Sequence, residues 1–224
     1  MTGTLINTAT ILAGSLLGLM LGSRLQEKTK TTVLNTVSLV VLYLGIETAA
    51  KGNNLVAILL GLVLGSVIGE ALQLEEHLNH LGQAIEKKLK ASQGRFATGF
   101  VTATLLFCVG PMAILGSLQD GLRQGYNILL TKATLDGLSS VALSASLGIG
   151  VSFSACSVLI YQGILTLLAS CLGNLATAEV VASLSGAGGI LIIGIGFNML
   201  GLTKIKTANL LPGLILAPLI TLLF

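Results

Sequence analysis

The stretch 107–140, FCVGPMAILGSLQDGLRQGYNILLTKATLDGLSS, carries Gly110-Pro111, then Gln119, Asp120, Arg123, Lys132 and Asp136 between long uncharged segments. Ionisable groups in lipid are costly and default to functional roles. Proline after glycine removes a backbone donor and kinks or ends a helix. Together they place polar side chains and opened backbone inside an otherwise apolar chain, as at a membrane-buried cavity.

The surroundings agree. Only 9% of the 224 residues are charged and 53% are hydrophobic, with a mean hydropathy of +0.93. A soluble domain carries about 25% charged residues, so water is not the main solvent. The 28 glycines suit close helix contacts in lipid. Most of the net charge of +3 comes from short-loop Lys and Arg, which orient a membrane protein and do not point to nucleic acid. Cys108, Cys156 and Cys171 lie in apolar runs with neither zinc nor disulfide spacing, and read as buried structural thiols. The N-terminus lacks a basic n-region and reads as a retained first helix.

A crossing takes about 20 apolar residues. Segments 4–23, 32–50 and 55–72 read as the first three, with Glu47 and Glu70 near the ends of the second and third. In 74–96, Leu74, Leu78, Leu81, Ile85 and Leu89 recur at helical spacing opposite Glu, His and Lys, an amphipathic surface helix. His77 and His80 there read as solvated, since no further ligand lies nearby. Segment 97–116 is a fourth crossing broken at Gly110-Pro111, and 118–134 reads as a loop, a short interfacial helix or a re-entrant piece. The run 137–178 has no Lys, Arg or Asp and no Glu, and suits two short crossings bent at Gly148-Ile149-Gly150. Segments 180–202 and 209–223 complete an all-α membrane protein of about eight transmembrane or partly re-entrant helices. Arg24, Lys28 and Lys30, then Lys87, Lys88, Lys90 and Arg95, then Lys204 and Lys206, all fall on one side. By the positive-inside rule that side is cytoplasmic, leaving both termini outside.

An internal repeat is visible at constant offset. Leu16, Leu17, Leu21, Gly22 and Gly45 align with Leu167, Leu168, Leu172, Gly173 and Gly196, and Glu47 with Asn198. After a short insertion, Asn54-Leu55 meets Asn209-Leu210. With eight crossings the halves are inverted, which is the pattern of secondary transporters. The chain then divides into a first repeat (1–73), an amphipathic cytoplasmic linker (74–96), central broken helices (97–152) and a second repeat (153–224).

The segments CVGPMAILGSLQDGL (108–122), LDGLSSVALSASLGIGVSFSA (135–155), YQG (161–163) and ANLLPGLILAP (208–218) resemble the family of unknown function numbered 554. So do GTLINTATILAGSLLGLMLGSRL near the start and LGSVIGE in the third segment. That family includes the YqgA-like and YdfK-like inner-membrane proteins of bacteria. The resemblance implies a multi-pass protein of the bacterial plasma membrane and supplies no catalytic residues.

Two readings of the polar stretch stand. In one, Asp120, Asp136, Ser139 and Ser140, with Gln119, Lys132 and the carbonyls freed at Gly110-Pro111, hold a cation, a proton or a small solute. In the other, Lys132 and Asp136 are a surface pair on an outer loop. Glu47 and Asn198 form a second candidate pair, and Asn7 and Asn35 read as interhelical hydrogen bonds. No His-based triad or phosphate loop is present in the sequence, so an enzyme is not expected. The expected activity is small secondary transport of a small solute or ion, without a cofactor, with Na+ or H+ coupling, by a homodimer in the lipid bilayer. A non-transporting scaffold or sensor, and an ion channel, are the alternatives.

Overall fold

The computed structural model describes residues 1–89, 96–169 and 177–223. Lys90, Arg95, Cys171, Leu172 and Gly173, used above for orientation, thiol burial or the repeat, lie outside the described residues. Among those described there are ten α-helices and no strand: α1 (Thr2–Gly22), α2 (Glu27–Ala49), α3 (Leu55–Ala71), α4 (Leu74–Leu89), α5 (Phe96–Cys108), α6 (Pro111–Gly121), α7 (Asn127–Leu147), α8 (Gly150–Leu167), α9 (Ala178–Met199) and α10 (Gly213–Thr221). A 3-10 turn, Thr207–Leu210, precedes α10.

The all-α membrane class holds, and among the described residues four helices stand out as crossings by length and composition. α1, α2, α8 and α9 are long and apolar enough to cross alone. Two bent pairs, α3 with α4 at 52° and α5 with α6 at 61°, raise the total to six. α3 has 17 residues, at the short end of a full span, and α10 has 9. The segment read as loop or re-entrant, 118–134, is also different. Its second half is the opening of α7, which runs unbroken for 21 residues and carries Lys132 and Asp136 inside it.

Local signals explain the ends. Asn54 caps α3 by accepting from the Ala57 N–H (3.0 Å), the usual role of an N-cap amide. Gly148, at φ +82°, ends α7, where a left-handed conformation favours glycine. The break between α5 and α6 likewise has Gly110 at φ +129° followed by Pro111.

The chain forms two compact units. The first comprises Met1–Val37, Asn79–Cys108 and Met112–Asn174; the second comprises Ser38–Leu78, Val109–Pro111 and Leu175–Phe224. In the first, Gly14, Gly18 and Gly22 of α1 seat on the carbonyls of Gly137, Val141 and Ala145 of α7. Both rows advance by four residues in the same direction, so α1 and α7 are parallel. Gly150 of α8 seats on the Phe96 carbonyl, Gly99 of α5 faces Leu147 and Val151, and Thr104 bonds Ser157 (3.2 Å). α8 therefore runs with α5 and turns back against α7 and α1.

In the second unit, Gly61, Gly65 and Gly69 of α3 seat on Ala217, Gly213 and Asn209, an antiparallel seam. The C-terminal half of α2 packs antiparallel on α9: Gly45 lies on Ile193 and Gly189, Ala49 on Gly189, and Leu42 on Gly196. The repeat offset aligns Leu42 with Ile193 and Gly45 with Gly196, so each glycine meets the partner helix at the equivalent position. The same offset aligns Glu27 with Ala178, the first residues of the two helices. Away from these seams the outer faces are apolar, with Leu39, Val40, Tyr43 and Ile46 on α2 and Val56, Leu59, Val63 and Val67 on α3 exposed. Apolar surface on that scale fits lipid as the solvent.

Candidate functional site

The first unit buries an ion pair. Lys132 and Asp136 lie one turn apart on α7, each 6% exposed, with Lys132 Nζ 2.9 Å from Asp136 Oδ2 and 3.0 Å from Oδ1. Asn7 of α1 donates to Asp136 Oδ2 (3.0 Å). Both carboxylate oxygens are therefore occupied. Ser140 donates its hydroxyl proton to the Asp136 carbonyl (2.6 Å), and Ser139 beside it is half-buried. The surface-loop reading of this pair is overturned, because helical continuity through 127–147 carries it inward.

Asp120, near the end of α6, serves a different purpose. It accepts from the Gly3 N–H (2.9 Å) and lies 3.1 Å from the Met1 ammonium. A carboxylate at that position offsets the positive end of α1. Asp120 and Asp136 thus grip successive turns of α1, through Gly3 and Asn7, each with its own partners. They do not share one ligand-binding point.

Around them lies a set of polar side chains with unused hydrogen-bonding capacity. Thr4 of α1 and Thr166 of α8 bring their hydroxyls within 3.3 Å. Gln162, one turn before Thr166, is 0% exposed, and neither its Oε1 nor its Nε2 has a partner within the protein. Asn7 Oδ1, Ser117 Oγ and Gln119 Oε1 are likewise buried and unpartnered. Gly121, one turn after Ser117, seats on the Thr166 carbonyl, so α6 meets α8 near its C-terminal end. Cys108 lies within electrostatic reach of Lys132 and Asp136, and Tyr161 within reach of Cys108. Each unsatisfied buried group costs about 1–3 kcal/mol, so a neutral amide with both ends unused is an expensive feature to keep in a core.

The remaining predicted residues have partners of their own. Gly110 and Pro111 group with the second unit, where Gly188 approaches Val109 and Gly110. Glu47 and Asn198 are not brought together. Glu47 pairs with Lys51 on the surface (3.1 Å). Asn198 organises the turn after α9, donating to the Ile205 carbonyl (2.7 Å) and accepting from the Ile205 N–H (2.9 Å) and the Thr203 hydroxyl (2.8 Å). Asn7 does bond across helices, whereas Asn35 is exposed. Of the thiols, Cys108 is half-buried and Cys156 is exposed, which corrects the buried reading for Cys156: its apolar run faces outward. His77 Nδ1 lies 2.9 Å from the Gln73 carbonyl. Among the described residues no three His, Cys, Asp or Glu side chains gather as metal ligands.

Sequence reasoning passed over Thr4, Ser117, Gln162 and Thr166. The signal for Gln162 was present: an amide centred in an uncharged run, where lipid would reject it unless the protein had a use for it.

The second unit has an exposed polar network instead. An open groove of about 620 Å³ is lined by Ser66, Glu70, Lys206 and Asn209 among others. Lys206 Nζ sits 2.6 Å from Glu70 Oε1 and 3.7 Å from Glu76 Oε1. Asn209 donates to Glu70 Oε2 (2.6 Å) and accepts from the Glu75 N–H (2.7 Å), and Glu75 Oε2 accepts from the Ala208 N–H (2.9 Å). The Glu70 hydrogen bond holds the Lys206 ammonium above its ordinary range. These bonds clamp the α3–α4 bend, where Gln73 adopts φ +50°, to the 3-10 turn.

Fold and site together define a helical membrane protein whose apolar bundle encloses a charge-compensated, partly unsatisfied polar cluster. Residues 2–222 match the profile of the protein family of unknown function DUF554, and the chain belongs to that family. It is 30% identical over 224 residues to "Uncharacterized membrane protein YdfK" of Bacillus subtilis (strain 168), covering 98% of this chain and 95% of the relative. It is 31% identical over 220 residues to "Uncharacterized protein YqgA" of Escherichia coli (strain K12), covering 96% and 94%. No solved structure is a significant match.

Proposed function

We propose that the protein is a small secondary transporter or permease of the inverted-repeat type, with its substrate site at the Lys132–Asp136–Asn7 cluster. The observation that carries this reading is the buried pair surrounded by unpartnered amides and hydroxyls inside an apolar bundle. Buried polar groups without partners call for an explanation, and a solute that passes through supplies one. The antiparallel packing of α2 on α9, with Gly45 and Gly196 at equivalent positions, supports two inverted halves. Proton or sodium coupling, no organic cofactor, no enzymatic step and a homodimer in the bacterial plasma membrane with both termini outside complete the proposal.

The test is uptake by proteoliposomes under a proton or sodium gradient, across a panel of small metabolites. Wild type should accumulate at least one of them, and an Asp120→Asn/Asp136→Asn double variant should fall to the level of empty liposomes. Equal uptake by the two proteins throughout the panel overturns the reading. A second reading, a scaffold that recruits a partner, draws on α4, whose Leu81 is exposed on a helix that also carries Glu75, Glu76, Glu86 and Lys87. In that case deletion of residues 74–89 abolishes function while Asp136→Asn leaves it intact.

A further inference from the structure

We infer that the cluster in the first unit is a site for a small uncharged solute that both donates and accepts hydrogen bonds, such as an alcohol or a simple amide, held by Gln162, Asn7 and Ser117. The inference rests on the transporter reading and names its substrate class.

Charge decides against an ion as the bound solute. A hard cation takes six or more oxygen ligands, but both Asp136 oxygens are bound by Lys132 and Asn7. The Asp120 carboxylate is engaged by Gly3 and the Met1 ammonium. An anion fares no better, since the Lys132 ammonium is already held by Asp136 one turn away. The ion pair presents no net charge to a ligand.

What is left open is neutral and two-sided. Gln162 offers an amide N–H₂ and an amide oxygen, both buried and unpartnered; Asn7 offers Oδ1; Ser117 offers a hydroxyl that serves in either role. Their placement is coherent. Thr4 touches Thr166, with Asn7 one turn along α1 and Gln162 one turn back along α8. Because α1 and α8 run in opposite directions, these two steps go the same way along the seam. Ser117 stands one turn back from Gly121, which seats on that same Thr166. An ion would leave the Gln162 amide half used, whereas an alcohol or amide satisfies its donor and its acceptor together.

The full chain is reconstituted in liposomes, and light scattering is followed after mixing with glycerol, acetamide or urea. Sucrose serves to read water flow alone, and radiolabelled glutamate, lysine and sodium are run in parallel. Wild type should admit at least one of the three neutral solutes faster than empty liposomes. Gln162→Leu should lose that entry by about tenfold, the value of one hydrogen bond of ordinary strength. It should also melt at a higher temperature than wild type in detergent, because it removes an unpartnered buried amide. Gln162→Asn, which keeps the amide, should retain part of the flux, and Ser117→Ala should lose some of it. If Gln162→Leu does not fold, the Asn and Ala variants decide by the same comparison. Neutral entry unchanged in all three variants overturns the inference, as does water flow without solute entry. Flux of charged solutes alone overturns it while leaving the transporter reading in place. No entry of any neutral solute overturns the inference, and the transporter reading then stands or falls by the gradient-driven panel.

Discussion

The two units each contain a seam of three glycines four residues apart, and the seams differ in what accompanies them. In the α3–α10 seam, Gly61, Gly65 and Gly69 meet Ala217, Gly213 and Asn209, and the charged groups nearby, Glu70 and Lys206, are exposed. In the α1–α7 seam, Gly14, Gly18 and Gly22 continue a face that holds Asn7, against a partner face holding Lys132, Asp136, Ser140 and Ser144. Close backbone approach explains both sets of glycines. It explains none of the buried polar side chains, which is why the first unit carries the candidate site and the second does not.

The comparison is broken most forcefully at Asp136. Asp136→Ala leaves the Lys132 ammonium buried without its partner, and an uncompensated charge of that kind costs about 3–5 kcal/mol. Expression and the melting temperature in detergent should fall steeply. An Asp136→Leu/Lys132→Met double variant, which removes both charges, should recover most of that stability while staying inactive in the uptake assay. Stability lost in both variants alike would make the pair structural.

Next in size, Gly18→Val and Gly65→Val should behave alike. A Cβ at Gly18 runs into the Val141 carbonyl, and one at Gly65 into the Gly213 backbone. Each should destabilise by about 1–3 kcal/mol, read by thermal unfolding, and a clear difference between them would mean that the seams are not equivalent supports. Asn54→Ala removes the cap of α3 and should cost about 1 kcal/mol, seen as faster hydrogen exchange at Ala57.

The smallest effect lies in the exposed clamp. Glu70→Gln should change the melting temperature too little to resolve, since exposed pairs contribute little. The pH dependence has a definite sign. Lys206 is raised in the folded state, so its contribution is whole below the unfolded lysine value and is lost as pH rises through the raised one. Hydrogen exchange across residues 70–76 should therefore quicken only at strongly alkaline pH, and Glu70→Gln should remove that step.

Membrane embedding, the helical class and the family resemblance were decided by the sequence alone, because hydropathy and helical spacing are sums over neighbouring residues. The break at Gly110-Pro111 and the bend at Gly148 were legible for the same reason: each is a property of one or two residues. Even the spacing of Lys132 and Asp136 foretold their pairing once the segment was helical. Tertiary structure alone decided which polar groups meet. Asn7 reaches Asp136 across 129 positions and Gly3 reaches Asp120 across 117, and nothing local to those residues encodes the encounter. It also separated Glu47 from Asn198, and it turned Gln162 from an amide in an apolar run into a buried group with both ends unused. Which face of a helix looks inward depends on every other helix in the bundle, so the candidate site is a property of the packing.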